Sequence, residues 1–325
     1  MSSATSPLAQ DAGLSTGCDG CGEHAATEIL RTGDRRFGVP GDFAVVRCAG
    51  CGLVRTTPQP ADPAAYYPGD EYYSYQPPAP PTARVRARVR SAYAQDQGDT
   101  RMQRALARVA RDRLMPGLPP GPPGRILDVG CGSGGFLLAL REAGWSCEGV
   151  EVDGQAVAAA HTAGLLDVRE GDLTAVDLPA GSYDVVRFWH VLEHVRSPAE
   201  QLRAARRLLR PGGTLLIGVP NARSLLARTA GDAWYYLDVP RHLWHFDRSS
   251  LARTVEGAGF AVERCRLTST PTALVGTLGY ATGRGERLID RRDIWYGLLP
   301  FAALLDRAGL GDAIVLTATP RSTAN

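Results

Sequence analysis

The 325-residue sequence predicts an α/β protein, with a doubly wound, seven-stranded, mostly parallel sheet and a small N-terminal domain built on cysteines. Three observations predict it. Residues 124–153 read as strand, glycine-rich turn, helix and strand. Strand and helix patterns keep alternating from there towards residue 320, the signature of a parallel sheet covered on both faces. Upstream, four of the seven cysteines fall in two CxxC pairs.

Within 124–153, Ile126, Leu127 and Val129 form a short apolar run, as a strand buried on both faces should. The turn Gly130-Cys131-Gly132-Ser133-Gly134-Gly135 lets the chain reverse sharply and lets a ligand approach the backbone. Phe136, Leu137, Leu140 and Ala143 follow at helical spacing, and Gly144 stops the helix. The next strand, 146–152, carries the acid Glu151, placed for a ribose hydroxyl. Gly130, Gly132 and Gly135 fit a dinucleotide fingerprint. Asp128, just before the turn, points elsewhere. A pyrophosphate gains nothing from an acid, whereas S-adenosylmethionine (SAM) carries a cationic sulfonium and an ammonium group. The stretch resembles motif I of class I SAM-dependent methyltransferases. That resemblance implies cofactor contacts at Asp128, Gly130, Gly132, Gly134 and Glu151.

Composition narrows the function classes. Hydrophobic content of 44% and charged content of 22% are ordinary for a soluble globular chain. A net charge of +2 gives no basic field of the kind that marks a nucleic-acid binder. The sequence contains no lysine, so all 36 basic residues are arginines. A lysine base or Schiff base is thereby excluded, and any fixed cation must be Arg. Residues 1–17 have neither a basic start nor an apolar core, so they read as a disordered tail rather than a signal peptide. No run of 18 apolar residues predicts a membrane span, and the expected location is cytoplasmic.

Cys18-Asp-Gly-Cys21 and Cys48-Ala-Gly-Cys51 are knuckles whose tight turns can aim two thiolates at one ion from the same side. Cys18, Cys21, Cys48 and Cys51 match a tetrahedral structural zinc site with no open position. Residues 18–60 therefore read as a zinc ribbon, with short strands around Phe37 and Phe43 to Val46. A domain this small depends on its metal by roughly 10 kcal/mol or more.

Residues 61–120 read as a tyrosine-rich loop and a helical linker or lid. Tyr66, Tyr67, Tyr72, Tyr73 and Tyr75 crowd into ten positions broken by Pro and Gly. They either pack the linker onto the main domain or cover the site, with Tyr72 and Tyr73 as candidate substrate contacts. The stretch 82–115 is rich in Arg and Ala and predicts one or two helices. Its arginines (Arg84, Arg86, Arg88 and Arg90) read as solvated faces, with an anion site as the alternative. Prolines in 116–124 mark a stiff boundary.

Residues 121–325 then form the SAM-binding domain. A helix is expected over 154–163 and a strand over 167–170. Asp172-Leu173 follows, resembling the family's adenine-binding acid and the amide beside it. Next come a strand at 183–188, a helix at 198–209, the turn Arg210-Pro-Gly-Gly213 and a strand at 214–219, where LLRPGGTLLIGVPN is similar to the family's fifth strand. Chemistry belongs at the carboxyl ends of these strands. There lie Trp189, a further cofactor contact, and the HxxEHxxxP stretch of His190, Glu193, His194 and Pro198. Similar stretches occur in family members that act on small molecules. His190 or His194 reads as a general base, and Glu193 as a proton acceptor for a carbon nucleophile. Shaping the pocket and capping the next helix is the bland alternative. A third reading is metal. The stretch is similar to the ExxEH divalent-metal site of small-RNA 2′-O-methyltransferases and ubiquinone-pathway O-methyltransferases. His190 stands in place of the first Glu, and Mg²⁺ is the ion considered.

The segment from Trp234 to Phe246 is dense in aromatics and polar groups. It is similar to the PRH…HF insertion of zinc-ribbon-bearing bacterial methyltransferases of polysaccharide and natural-product pathways. Arg241 reads as an anion holder and His242 as a base or metal ligand. Trp244 and His245 read as further substrate contacts, and a packed aromatic loop is the alternative. A helix at 249–258 and a strand at 260–267 come next. The apolar excursion 271–310, with a helix through Trp295, Leu298, Leu299, Phe301 and Leu304, either covers the pocket or lies on a membrane surface. A seventh strand at 313–318 closes the sheet. The resemblance covers about residues 124–320. It implies SAM-dependent O- or C-methylation of a small metabolite: a sugar or nucleotide sugar, a natural-product hydroxyl or an isoprenoid, with or without a phosphate. An RNA-modifying enzyme and a non-catalytic SAM-binding scaffold are the alternatives; the near-neutral charge speaks against nucleic acid.

Overall fold

A computed structural model describes residues 17–67, 115, 117–285 and 297–321. The expected tail, most of the tyrosine-rich loop with Tyr72 and Tyr73, the helical linker and Trp295 lie outside the described residues.

Three short strands open the chain: β1 (Ala26–Thr32), β2 (Phe43–Cys48) and β3 (Val54–Thr57). They pair antiparallel in that order, and a single 3₁₀ turn at Pro63–Tyr66 follows. The main sheet begins at β4 (Arg125–Val129), which leads through the glycine turn into helix α1 (Gly135–Glu142). Then come β5 (Ser146–Glu151), α2 (Gly154–Thr162), β6 (Val168–Glu170), β7 (Tyr183–Trp189), α3 (Pro198–Leu208) and β8 (Leu209–Pro220). After β8 the chain forms the short helix α4 (Leu225–Thr229), two 3₁₀ turns, the two-residue strand β9 (Trp244–His245), α5 (Arg248–Gly257) and β10 (Phe260–Thr268). Helices α6 (Pro271–Ala281) and α7 (Leu299–Arg307) precede β11 (Ala313–Pro320).

The seven-stranded sheet runs β10-β11-β8-β7-β4-β5-β6. Strands β8, β7, β4, β5 and β6 are parallel, and β11 lies antiparallel between β8 and β10. Ile126, Leu127, Val186, Phe188, Leu215 and Ile217 are fully buried within it. That burial on both faces is why these strands read as continuous apolar runs rather than alternating ones. The expected Arg210-Pro-Gly-Gly213 turn sits inside β8 as a bulge. Tyr183 faces Leu209 and Val185 faces Thr214, so the partner strand advances two residues while β8 advances five.

The small sheet has a fourth strand that local sequence does not announce. β9 pairs antiparallel with β3, with Val54 facing His245 and Arg55 facing Trp244. The N-terminal domain therefore continues into the segment that follows β8 of the main sheet. In the excursion, α6 and α7 stand where one amphipathic helix was expected. Leu274, Ala302 and Leu305 pack between them, while Leu299, Phe301 and Leu304 face outward. No helix among the described residues is long and apolar enough to cross a membrane.

Candidate active site

The ends of β4, β5 and β7 meet at the glycine turn. Gly130 has φ +65°, and a Cβ there would lie 2.4 Å from Cγ2 of Val191, so only glycine fits. The contact brings the turn directly against the HxxEH segment. Helix α1 starts at Gly134 with no side-chain cap, which leaves its first N–H groups for a ligand. Glu151 reaches across from β5. Its Oε2 accepts the Gly132 N–H at 2.7 Å, and its Oε1 accepts those of Val152 and Asp153 at 2.8 and 3.2 Å. Burial pushes its carboxyl up, against the pull of these three donors. Asp172 accepts from Thr174 through Oδ1 and from Gln201 Nε2 at 2.6 Å through Oδ2, and Leu173 is in the core.

Asp128 lies deeper than expected. Both its oxygens accept from Nη1 of Arg187 on the neighbouring strand, at 2.7 and 2.9 Å. Arg187 also stacks on Phe136 and Trp189 and donates to the Gly117 carbonyl. Asp128 thus acts through Arg187 as a buried ion pair under the turn rather than as an open acid facing a cation. The signal was an arginine in the middle of the apolar run YDVVRF. Trp189, also expected at the cofactor, covers Gly218 of β8 and stands edge-on to His190.

At the end of β7 the chain turns through His190, one of two non-glycine residues with positive φ (+55°) among those described. Such backbone conformations cost energy and cluster at functional sites. The His190 N–H donates to the Gly218 carbonyl, and the ring stacks on Tyr236. Nδ1 lies 3.2 Å from Oε1 of Glu193. A carboxylate there assigns the proton to Nδ1 and leaves the lone pair on Nε2. The His190 side chain is 26% exposed and that of Glu193 is fully buried. Burial alone would raise the Glu193 carboxyl, but the His190 bond and the nearby imidazoles of His194 and His242 outweigh it, and the net direction is down.

His194 and His242 meet edge to face, ring centroids 4.5 Å apart. Nδ1 of His194 lies 3.1 Å from the Arg241 carbonyl and 2.9 Å from the Tyr67 hydroxyl; Nδ1 of His242 lies 2.9 Å from the Tyr236 carbonyl. Desolvation pushes both imidazoles down, against the pull of the Glu193 carboxylate. The segment 242–244 is fixed to Glu193 itself, whose carbonyl accepts the Leu243 and Trp244 N–H groups.

Three residues expected at the substrate have other work. Arg241 is fully buried, with Asp34, Asp238 and the Tyr66 carbonyl around its guanidinium, and Phe37 stacked on it. It holds the N-terminal domain in place instead of an anion. Trp244 is in the core and donates Nε1–H to the Val195 carbonyl. His245 is buried against the Thr56 hydroxyl, and desolvation takes its pKa to about 4. Both belong to β9, and strand pairing turns them inward. Tyr67, one of the tyrosines expected to pack the linker or cover the site, reaches His194; residue order alone did not single out Tyr236 or Thr56, whose hydroxyl holds the His242 carbonyl at 2.7 Å.

The four CxxC sulfurs lie within 4.8 Å of one another, with Cys18 to Cys51 and Cys21 to Cys48 each at 3.5 Å. Knuckle amides point at them: the Cys51 N–H donates to Sγ of Cys48. Knuckle contacts hold the Cys48 thiol down at about 7, although burial opposes. Four sulfurs so placed fit one tetrahedral ion at about 2.3 Å each. Asp19, inside the first knuckle, accepts from Ser197 Oγ at 2.6 Å and from the Ala199 N–H at 2.8 Å at the start of α3. The knuckle thus docks onto the helix that follows the HxxEH segment.

The reversed edge of the sheet and the glycine turn beside Glu151 are those of a class I, SAM-dependent methyltransferase domain. A family model described as a methyltransferase domain matches residues 97–264, more than half of the chain. The chain belongs to that methyltransferase family. It is 32% identical over 145 residues to a "Ubiquinone biosynthesis O-methyltransferase" of Ralstonia nicotianae, covering 42% of this chain and 60% of the relative. It is 29% identical over 171 residues to a "Probable S-adenosylmethionine-dependent methyltransferase" of Mycolicibacterium smegmatis, covering 51% and 59%. The match thus spans about three fifths of each relative. A solved SAM-dependent methyltransferase from Mesorhizobium loti is similar at 21% identity and a TM-score of 0.44, over 62% of this chain and 93% of that one.

Proposed function

We propose that the protein is a SAM-dependent methyltransferase acting on a hydroxyl of a small metabolite, with a structural zinc ion held by Cys18, Cys21, Cys48 and Cys51. The observation that carries the reading is the contact of Gly130 with Val191. It sets the glycine turn beside the His190–Glu193 pair, so a donor held on the turn would stand beside a base. Bound SAM supplies an electrophilic methyl group on a sulfonium. The turn amides, the open start of α1 and the Glu151 carboxylate would hold it, with Asp172 and the Leu173 amide at the adenine end.

Methyl transfer needs nucleophile and methyl carbon in line, and positioning supplies most of the rate. The acceptor oxygen must lose one proton as it takes the methyl group. His190 Nε2 is the base: it holds a lone pair, and its side chain is partly exposed. Glu193 orients the ring through Nδ1 and stabilises the imidazolium that forms. Full burial of Glu193 favours a hydroxyl over a carbon acceptor, because a buried carboxylate reaches the acceptor only through His190.

The test is incubation of the purified chain with SAM and a panel of phenols, sugars, nucleotide sugars and isoprenoid phosphates. Mass spectrometry is expected to show a gain of about 14 daltons on one hydroxylated acceptor, one added CH₂. SAM binding with no methyl gain across the panel would overturn the reading, and a methyl gain that His190→Ala leaves intact would overturn the assignment of the base.

A further inference from the structure

Glu193, His194 and His242 are brought together from two segments 48 residues apart. One ligand atom from each lies within 4.8 Å of the other two. Oε2 of Glu193 is buried and has no hydrogen-bond partner among the described residues. A buried carboxylate oxygen left unpaired costs roughly 1–3 kcal/mol or more, so it calls for a cation. The histidines are prepared in the same sense. Carbonyl oxygens only accept, so the Tyr236 carbonyl assigns the His242 proton to Nδ1; at His194 the Arg241 carbonyl favours the same tautomer, in which the Tyr67 hydroxyl, 2.9 Å from that Nδ1, accepts as well. Each ring therefore turns its lone pair out through Nε2. Metal-bound histidines are held in this way, with the far N–H on a backbone carbonyl that fixes tautomer and orientation. Asp238 Oδ2 stands 3.9 Å from Nε2 of His242, beyond hydrogen-bond reach. His190 is outside the cluster, and its Nδ1 is directed at Oε1 of the same carboxylate.

We infer that Glu193, His194 and His242 form a second metal site, separate from the four cysteines, for a divalent ion that accepts nitrogen ligands, such as Zn²⁺, Fe²⁺, Co²⁺ or Mn²⁺. Two imidazole nitrogens and one carboxylate suit these ions and not Mg²⁺, which favours oxygen ligands and keeps its waters. The set also revises the register expected from sequence: His242 supplies the third ligand, and the position of His190 does not. Three protein ligands leave coordination open, the arrangement of a site that meets a substrate oxygen rather than a purely structural one.

The full-length chain is dialysed against Zn²⁺ and then metal-free buffer, and its metal content is measured. Wild type is expected to retain about two ions per chain. Glu193→Gln and His242→Gln should each retain about one, and a Cys48→Ser/Cys51→Ser chain should lose the other. Co²⁺-loaded wild type should show, besides the sulfur charge-transfer bands, visible absorption that Glu193→Gln removes. Affinity at the second site should fall by at least on the order of 10–100-fold in Glu193→Gln, with the circular dichroism spectrum unchanged. One ion in wild type that disappears with the cysteines overturns the inference; so do two ions that survive Glu193→Gln. The readout needs neither SAM nor acceptor, so its failure would leave the methyl-transfer reading standing, and failure of methyl transfer would leave the site standing.

Discussion

Arg241 and Asp34 are joined by two parallel bonds, Nη2 to Oδ1 at 2.7 Å and Nη1 to Oδ2 at 3.1 Å, with neither side chain exposed. Residues 207 positions apart thereby clamp the N-terminal domain onto the segment that carries His242. The same Asp34 caps its own turn, accepting from the Arg36, Phe37 and Val39 amides. Removing one member of a buried pair leaves the other charge uncompensated. Arg241→Ala should destabilise the protein by about 3–5 kcal/mol in urea unfolding, and Arg241→Lys should recover only part of that, since an ammonium cannot make the paired contact. A loss below about 1 kcal/mol would assign the clamp no more weight than a surface pair.

If the four cysteines hold zinc as proposed, its chelation should unfold the N-terminal strands first. Cys18→Ser should show the same loss, read as increased proteolysis within 17–67 while the main sheet keeps its circular dichroism. Because the ligands must be thiolates, the metal should be released progressively as pH falls.

Glu151 holds the Gly132 amide and faces the expected ribose position. Glu151→Ala should weaken SAM binding about 10- to 100-fold by calorimetry, the value of hydrogen bonds to a charged group. Unchanged affinity would remove Glu151 from the cofactor site.

His190→Ala should lower kcat by about 10²–10⁴-fold while leaving the SAM Kd within a factor of about two. His190→Gln should not restore activity, because the amide cannot take the proton. A fall confined to KM would make His190 a binding group instead.

His245 should make stability depend on pH. Its pKa is about 4 folded, against about 6.5 unfolded. Between those values the unfolded chain binds the proton and the folded one does not, so stability falls as pH drops from about 6.5 to 4. The slope is about 1.4 kcal/mol per pH unit for this one residue. It is absent above the unfolded value, where both states are neutral. His245→Gln should flatten that part of the stability profile, and an unaltered profile would show that His245 is not the group responsible.

Much of this was legible from residue order because the signals are local. The turn at Gly130 and the acid of Glu151 belong to one βαβ unit, and each knuckle needs only four residues to aim two sulfurs. The HxxEH stretch likewise sits where a strand ends, and strand ends can be read from apolar runs. Arg241, Trp244 and His245 were not legible in the same way. Polar and aromatic residues in a loop look alike whether they face a ligand or a second strand, and the two-residue β9 has no period to detect. Their partners, Asp34, Val195 and Thr56, lie 49 to 207 positions away.

The sequence by itself determined the sheet class, the glycine turn and the four-cysteine cluster. Each follows from backbone sterics, burial or spacing within a few tens of residues. Only the tertiary structure decided that Asp128 faces Arg187, that Arg241 clamps Asp34, and that His242 completes a cluster with Glu193 and His194. Those relationships depend on which strand lies beside which. Buried charge must find a partner wherever the fold places one, and that partner is set by neighbours in space and not along the chain.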